Sequence, residues 1–254
     1  MHWGERRAVM REDDRSFLYG DGLFETVRVE GGKVRRLEAH RERLRRSAAE
    51  LGFGVRGIDE ACDLLGRPPG QDGLWRVTVS RQDTSIAFGG SGQVCGRWRP
   101  GHLARPAPQL KTFQGFYLPD DRLAEHKTTS WIRSVELRRR ACQAGADDGV
   151  GISRCGLVGE ASAANIFVQL DQGWVTPEVR GILPGVTRGA LLRHARQVGF
   201  ELDEAKVTVE DLRRARAIAL TSAGIGVLGA ASVDGRGLEL ERVANLKALL
   251  EGCL

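Results

Sequence analysis

The sequence predicts a mixed α/β fold that is divided into two domains. Segments in which apolar and polar residues alternate, as in strands, are interspersed with segments of helical periodicity along the whole chain. The 254 residues leave room for one large domain or two modest ones. The segment 117–125 (YLPDDRLAE) has the composition of a connection, so we expect the two domains to meet near residue 117.

The N-terminal half is predicted to combine a strand hairpin with two helices. Leu37, Leu44 and Ala48 recur at helical spacing, and Gly52 is a typical helix end. The predicted elements are strands 24–29 and 34–37 joined by a Gly-Gly turn, helices 37–51 and 58–65, a strand 75–80, a long loop 82–101 and a strand 110–116.

The C-terminal half is predicted to alternate helices with short strands. Thr208 and Asp211 have the spacing of a capping box, which indicates the start of a short helix. The other predicted elements are helix 130–144, strands 150–153, 166–170 and 174–176, helix 187–198, strand 217–221 with the small-residue loop TSAGIG after it, and helix 238–250.

Composition argues against membrane, secreted and disordered proteins. Apolar residues make up 41% of the chain and charged residues 28%, as in an ordinary globular protein. The sequence has no run of about 18 apolar residues that would suggest a membrane span. The charged start MHWGERRAV does not resemble a secretory signal. The five cysteines include no CxxC pair and are typical of reduced thiols, so we expect a cytoplasmic protein with no membrane partner.

The net charge of +5 raises the question of nucleic-acid binding. Basic residues are, however, scattered along the chain and interleaved with acidic ones, and the densest run, 138–140, lies on a predicted helix. We interpret that run as a solvated helix face and expect no nucleic-acid partner. A small excess of positive charge is equally suited to an anionic small substrate.

Several catalytic motifs are missing from the sequence. It contains no HExxH, no paired CxxC, no Walker phosphate loop, no GxGxxG and no GxSxG. The five histidines are dispersed, so the spacing predicts no metal site.

Five separate features fit one chemistry. The chain has five lysines against 33 arginines, which draws attention to Lys127 because lysine, unlike arginine, can act as a nucleophilic amine. Glu160 supplies a carboxylate, Gly185 precedes a predicted helix start, the loop 221–224 has small residues, and Arg43 adds a cation. An amine, a carboxylate and a phosphate cradle are what pyridoxal phosphate requires. Each feature alone also has a simpler interpretation: a surface lysine, a turn carboxylate, a helix entry, a tight turn or a solvated arginine.

The order of six motifs resembles that of the class IV aminotransferases, the fold-type IV pyridoxal-phosphate enzymes. The resemblance extends from about residue 14 to residue 234. It is carried by the segments DRSFLYGDGLFETVRV, HRERLRRSA, HKTTSW, GEASAANIF, ILPGVTR and LTSAGIG.

The resemblance implies a role for particular residues. Lys127 would hold pyridoxal 5'-phosphate as a Schiff base and move the proton, and Glu160 would pair with the pyridinium nitrogen. Arg43, in the HxxRL pattern, would bind the phosphate. The remaining implied positions are the phosphate contacts Val186, Thr187, Ser222 and Ala223 and the substrate-side residues Tyr19 and Phe24.

The resemblance also implies an architecture like that of D-amino-acid aminotransferase. We expect a smaller N-terminal α/β domain over 1–116, a connection over 117–124 and a larger cofactor-binding domain over 125–254. The coenzyme would lie between the domains of a homodimer and act on a small-molecule amino substrate.

The specific reaction is predicted less directly. GDGLFET, the short chain and Gly226 resemble 4-amino-4-deoxychorismate lyase, whereas Ser130 stands where many lyases have asparagine. The alternative is an amino acid aminotransferase of the branched-chain or D-amino-acid type, which uses a keto-acid acceptor. Ala223 lacks a hydroxyl and Ile132 replaces a tyrosine of the aminotransferases, so a catalytically degenerate member is a further alternative. A basic nucleic-acid-binding protein is the remote one.

Overall fold

A computed structural model describes residues 12–81, 93–101 and 106–253 and divides them into two compact units. The first unit contains the described residues up to 101 together with the short segment 127–130. The second contains 106–126 and 131–253. Both units combine helices with sheets, so the predicted mixed α/β class is confirmed.

The first unit is built on a four-stranded antiparallel sheet of order β2-β1-β3-β4. The turn between β1 and β2 requires positive φ at Gly31 (56°) and Gly32 (76°), a conformation that glycine adopts without strain. The elements are α1 (Arg15–Tyr19), β1 (Gly22–Glu30), β2 (Lys33–Val34), α2 (Leu37–Glu50), α3 (Val55–Leu65), β3 (Gly73–Ser80) and β4 (Val94–Pro100).

The two faces of this sheet differ in chemistry. Odd-numbered residues such as Val27, Val29 and Val77 are buried and pack in one core with residues of α2 and α3. Even-numbered residues such as Phe24 and Arg76 project to the opposite face, because side chains alternate along a strand. Burial of the odd-numbered side fixes the register, since a slip of one residue would exchange the two faces.

The second unit contains two five-stranded sheets, of order β10-β9-β8-β11-β12 and β14-β13-β5-β6-β7. Its helices are α4 (Ile132–Gln143), α5 (Val186–Val198), α6 (Val209–Arg214) and α7 (Val243–Glu251), with 3-10 turns at Arg122–Glu125 and Leu240–Arg242. Its strands are β5 (Gln109–Gln114), β6 (Asp148–Ile152), β7 (Val158–Ala161), β8 (Asn165–Leu170), β9 (Gly173–Pro177), β10 (Leu202–Ala205), β11 (Ala217–Ser222), β12 (Gly226–Gly229), β13 (Ser232–Val233) and β14 (Arg236–Gly237).

Two buried clusters stabilise the second unit. Phe167, Leu191 and Leu246 represent the cluster in which α5 and α7 cover the sheet around β8 and β11. Val150 and Ile218 belong to the other cluster, which joins residues of both sheets. Within the described residues, no helix is both long enough and apolar enough to cross a bilayer.

The long loop predicted over 82–101 is wrong for residues 94–100, which form β4. This strand pairs with β3 over seven residues, and a Cβ at Gly96 would lie only 2.0 Å from the Trp75 ring. Glycine is therefore needed at position 96, where the Trp75 ring lies against β4. Because glycine is neither apolar nor polar, it also interrupts the alternation of apolar and polar residues that would have indicated a strand. The rest of the predicted loop, 82–92, lies outside the described residues.

The units divide at a different place from the expected boundary near residue 117. Strand β5 and the segment 117–124 belong to the second unit, because β5 pairs in parallel with β6 and β13. The strands β7, β10, β12, β13 and β14, which have two to four residues each, were not predicted. The capping box of Thr208 and Asp211 is confirmed at the start of α6.

Candidate active site

Lys127 is positioned by the first strand of the first unit. Its carbonyl oxygen accepts a hydrogen bond from the Phe24 backbone N–H (2.9 Å), and Thr128 bridges to Leu23. The half-buried Lys127 amine lies 4.6 Å from the centroid of the Phe24 ring. The short segment 127–130 is therefore an extension of the sheet that presents the amine beside an aromatic face.

Behind Phe24, the other face of β1 carries a buried charge cluster. Glu25 accepts hydrogen bonds from Arg43 Nε (2.7 Å) and Nη2 (2.6 Å), and its Oε2 lies 2.8 Å from His40 Nδ1. All three side chains are buried, and Glu25 is 1% exposed. Strand β1 supplies the carboxylate, whereas helix α2 supplies its two partners one turn apart.

The cluster holds Glu25 in its charged form. Burial raises the pKa of Glu25, but the charge of Arg43 and the hydrogen bonds from His40 and Arg43 outweigh burial and lower that pKa to about 2. Burial lowers the pKa of His40 in spite of its bond to Glu25. The cluster is thus a Glu–Arg ion pair beside a neutral imidazole at neutral pH.

Arg43 is therefore buried, and the simpler interpretation of this residue as a solvated arginine is wrong. Glu25 takes two of the five N–H donors of the guanidinium and fixes its plane. A fixed arginine is suited to anion binding, because little side-chain entropy remains to be lost. The phosphate contact implied for Arg43 stays a prediction.

The second unit gathers the other predicted segments around Asn165. The Asn165 side-chain amide donates to Glu160 Oε2 (2.9 Å) and to the carbonyl of Leu183 (2.8 Å). The Leu183 backbone N–H donates to Glu160 Oε1 (3.2 Å). Both carboxylate oxygens of Glu160 are therefore held in place. Glu160 lies within β7, so the simpler interpretation of Glu160 as a turn carboxylate is wrong.

The start of α5 lies against the same asparagine. A Cβ at Gly185, the residue before the helix, would lie 2.0 Å from Asn165 Oδ1. Val186 and Thr187 are 8% and 3% exposed, and the first turn of the helix carries no acidic side chain. The N–H groups of a first turn have no acceptor within the helix and, with the helix dipole, favour an anion.

The end of β11 is the third segment at this place. Thr221 stands opposite Asn165 in the sheet, and its buried Oγ1 has no hydrogen-bond partner among the described residues. Ser222 pairs with Gly226 across the three-residue turn that contains Ala223. Small side chains and a buried hydroxyl thus lie at the end of β11, next to the strand that carries Asn165.

The structure brings the predicted residues together in two groups. In the first unit, Lys127 lies against Phe24, while the Tyr19 ring is 67% exposed and packs beside Arg15. The second group contains Glu160, Val186, Thr187, Ser222 and Ala223, all in the second unit.

Sequence reasoning missed Glu25 and Asn165 as members of these groups. Glu25 could have been found, because it occupies an inward-facing position between the apolar residues Leu23 and Val27. Asn165 gave no comparable signal, because the Leu183 carbonyl to which it donates lies 18 positions later in the chain.

A model of the amino-transferase class IV family matches residues 22–233. The chain belongs to the class IV aminotransferase family. This family assignment confirms the resemblance of the six motifs and the fold that they imply.

Individual relatives cover nearly the whole chain. A putative branched-chain-amino-acid aminotransferase of Methanocaldococcus jannaschii is 28% identical, over 97% of this chain and 90% of its own. A bifunctional aminodeoxychorismate lyase / D-amino acid transaminase of Mycobacterium tuberculosis is 27% identical, over 95% and 92%. The crystal structure of a putative 4-amino-4-deoxychorismate lyase of Legionella pneumophila has a TM-score of 0.85 and 26% identity, covering 98% of this chain and 97% of that one.

Enzymes of this family use pyridoxal phosphate, so the chain is a pyridoxal-phosphate-dependent enzyme. When bound, the coenzyme supplies an aldehyde that captures an amine and a ring that withdraws electrons from the adjacent carbon. The residues present fit this group: Lys127 offers an amine, and Glu160 offers a carboxylate held at both oxygens. The buried hydroxyl of Thr221 and the start of α5 offer donors to a phosphate. The described residues include no cluster of three or more His, Cys, Asp or Glu that could hold a metal.

Proposed function

We propose that this enzyme is a 4-amino-4-deoxychorismate lyase, which releases pyruvate and 4-aminobenzoate. The observation that carries the proposal is the likeness to the putative lyase of Legionella pneumophila, at a TM-score of 0.85 with almost complete coverage of both chains. The GDGLFET segment at the start of β1 and the glycine at position 226 support the same choice.

The proposed reaction needs no second substrate, because its two products together contain all the atoms of aminodeoxychorismate. Lys127 Nζ takes the proton from the ring carbon that bears the amine. The bond from the neighbouring ring carbon to the ether oxygen then breaks, and the ring becomes aromatic. Return of the proton to the methylene carbon of the departing enol gives pyruvate. Lys127 is therefore the proposed acid and base of both proton transfers.

The remaining site residues have supporting roles in this proposal. Glu160 pairs with the ring nitrogen of the coenzyme and keeps it protonated. Arg43, the start of α5 and the loop at Ser222 and Ala223 hold the phosphate. Phe24 and Tyr19 line the substrate side, and the enzyme works as a homodimer. The exposed apolar side chains of Phe17 and Leu18 on α1 are consistent with burial against a second subunit.

An aminotransferase is the second candidate, and it is favoured by the 28% identity to the archaeal relative. It would share the first proton transfer at Lys127 but leave the substrate's amino group on the coenzyme. A keto acid would then be required to complete the cycle. The bifunctional name of the mycobacterial relative makes both activities worth measuring in one preparation.

The test is product formation from aminodeoxychorismate with no keto acid present. Liquid chromatography measures 4-aminobenzoate, and a coupled lactate dehydrogenase assay measures pyruvate. We expect equal amounts of the two products from the wild type and none from Lys127→Ala. A strict requirement for 2-oxoglutarate or pyruvate would favour the aminotransferase, whereas no product from aminodeoxychorismate under either condition would contradict the lyase.

A further inference from the structure

One peptide group of the second unit is held at both of its polar groups by the segment that precedes the reactive lysine. The carbonyl oxygen of Arg180 accepts a hydrogen bond from Tyr117 Oη (2.7 Å). The N–H of Gly181 donates to Glu125 Oε1 (3.0 Å). This carbonyl and this N–H belong to the same peptide bond, and in a trans peptide they point in opposite directions. The peptide between Arg180 and Gly181 is therefore fixed from two sides.

Tight packing accompanies these hydrogen bonds. Gly181 has a φ of 67°, and a Cβ there would lie 2.1 Å from the carbonyl oxygen of Leu118. The Tyr117 ring lies against Gly159, where a Cβ would be 2.6 Å from Tyr117 Cγ. A larger side chain at either glycine would force its neighbour to move. The loop and the segment before the lysine consequently have little room to shift against each other.

The same loop holds Glu160 two residues further along. The Leu183 N–H donates to Glu160 Oε1 (3.2 Å), and the Leu183 carbonyl accepts from the Asn165 amide (2.8 Å). That amide also donates to Glu160 Oε2 (2.9 Å). Only Ile182, which is 1% exposed, stands between Gly181 and Leu183. The fixed peptide therefore steadies the backbone that in turn steadies the Glu160 carboxylate.

Glu125 is also close to Lys127 along the chain. Two residues of extended chain span at most about 7 Å, and the residue between them, His126, is buried. On its other side, the Lys127 carbonyl accepts from the Phe24 N–H (2.9 Å). The backbone of Lys127 is thus held by the Phe24 bond and, two residues earlier, by the bond of Glu125 to Gly181.

The two bonds to this peptide differ from a neighbouring ion pair. Asp120 and Arg180 pair at 2.7 Å, but their side chains are 85% and 59% exposed, so this pair contributes little. Gly181 and Tyr117 are buried, and loss of a partner would leave a buried polar group unsatisfied. Burial raises the pKa of the Tyr117 hydroxyl, which therefore keeps the proton that it donates. Tyr117 and Glu125 are the contacts on which this peptide depends.

We propose that Glu125 and Tyr117 are positioning residues of this enzyme. Through the peptide between Arg180 and Gly181, they hold both the Glu160 carboxylate and the start of the Lys127 segment. The inference rests on the proposed function, in which Lys127 moves the protons and Glu160 pairs with the ring nitrogen of the coenzyme. Proton transfer depends on accurate placement, and a displacement of about 1 Å can lower a rate about 100-fold.

The test compares three variants with the wild type. Glu125→Ala removes the acceptor, Glu125→Gln keeps an oxygen that can accept from the Gly181 N–H, and Tyr117→Phe removes the hydroxyl but keeps the ring. With aminodeoxychorismate, we expect kcat of Glu125→Ala to fall about 10- to 100-fold with little change in KM. Glu125→Gln should restore most of kcat, and Tyr117→Phe should lower it. Glu178→Ala, which alters an exposed carboxylate of the same loop, is the matched control and should behave like the wild type.

Two further measurements do not depend on turnover. Hydrogen exchange is followed by NMR on the full chain, with and without pyridoxal phosphate. In Glu125→Ala, the amides of Gly181 and Leu183 should exchange about 10- to 100-fold faster, the range for losing a hydrogen bond to a charged group. Visible circular dichroism per bound coenzyme should also decrease in this variant, because the groups around the ring are held less firmly. Glu125→Gln should resemble the wild type in both measurements.

Three outcomes would overturn the positioning role. The first is unchanged exchange in both Glu125→Ala and Tyr117→Phe. The second is faster exchange over the whole chain, which would indicate a general loss of stability. The third is faster exchange at Gly181 and Leu183 with kcat and circular dichroism unchanged. If Glu125→Ala does not fold, Tyr117→Phe provides the same comparison.

Failure of the proposed function gives a different result. In that case the wild type itself releases no product from aminodeoxychorismate. Faster exchange confined to the Gly181 and Leu183 amides of Glu125→Ala, together with weaker circular dichroism of the bound coenzyme, would still support the positioning role.

Discussion

Replacing Glu25 by glutamine tests the buried cluster behind Lys127. Folding lowers the pKa of Glu25 from 4.5 to about 2. Because one pKa unit corresponds to roughly 1.4 kcal/mol, the charged form contributes about 3 kcal/mol to the free energy of unfolding at neutral pH. Glu25→Gln also leaves Arg43 buried without its carboxylate, a change that costs about 3–5 kcal/mol in buried pairs. We therefore expect a loss of about 3 kcal/mol at pH 7.

The pH dependence of this loss has a definite sign. A carboxyl whose pKa is lower in the folded state stabilises the protein fully above its unfolded value, here 4.5. That contribution decreases as the pH falls from 4.5 toward 2. The difference in unfolding free energy between wild type and Glu25→Gln should therefore be largest at pH 7 and become smaller at pH 3.

Urea unfolding at pH 7 and pH 3, followed by circular dichroism, measures both differences. Glu42→Gln is the matched control, because Glu42 is an exposed carboxylate on α2, the helix that carries His40 and Arg43. We expect the control to change the unfolding free energy by less than about 0.5 kcal/mol. A Glu25→Gln effect as small as that of the control, or one that is equal at the two pH values, would refute the reasoning.

Three further variants test the other parts of the site and fold. Lys127→Ala should abolish product formation. After borohydride reduction, peptide mass spectrometry should find no coenzyme attached to this variant. A peptide that carries the coenzyme at another position would contradict the assignment. Gly185→Ala should destabilise the protein by about 1–3 kcal/mol and weaken coenzyme binding in a fluorescence titration, because its Cβ would lie 2.0 Å from Asn165 Oδ1; unchanged affinity would count against this cradle. Thr208→Ala removes the hydroxyl that accepts from the Asp211 N–H and should cost about 1 kcal/mol in urea unfolding with activity retained.

The elements that could be predicted from the sequence depend on neighbours close along the chain. The apolar spacing of Leu37, Leu44 and Ala48 predicts α2, and the capping box at Thr208 predicts the start of α6, because both signals lie within one or two helical turns. Strand β4 could not be predicted in this way. Its Gly96 is explained by the Trp75 ring of the neighbouring strand, 21 positions earlier in the chain.

In the candidate site, too, features that depend on short segments could be predicted, whereas contacts between distant residues could not. Lys127, Glu160 and Arg43 could be named because the order of motifs resembles that of a family, and each motif is a short segment. The partners that fix these residues are distant in sequence: Glu25 and Arg43 are 18 positions apart, and Leu183 bonds to a carboxylate 23 positions earlier. Contacts between residues so far apart in sequence can be identified only from the folded structure.

Two neighbouring residues of β1, Phe24 and Glu25, contact arginines in different ways. At Glu25, the inward-facing side chain supplies a carboxylate that holds the Arg43 guanidinium in place. At Phe24, the side chain on the opposite face of the sheet supplies a flat ring against which Arg76 and Lys127 lie. An aromatic ring holds a cation in place without cancelling its charge. The alternation of one strand thus holds one arginine by an ion pair in the core and the other by a ring beside the Lys127 amine.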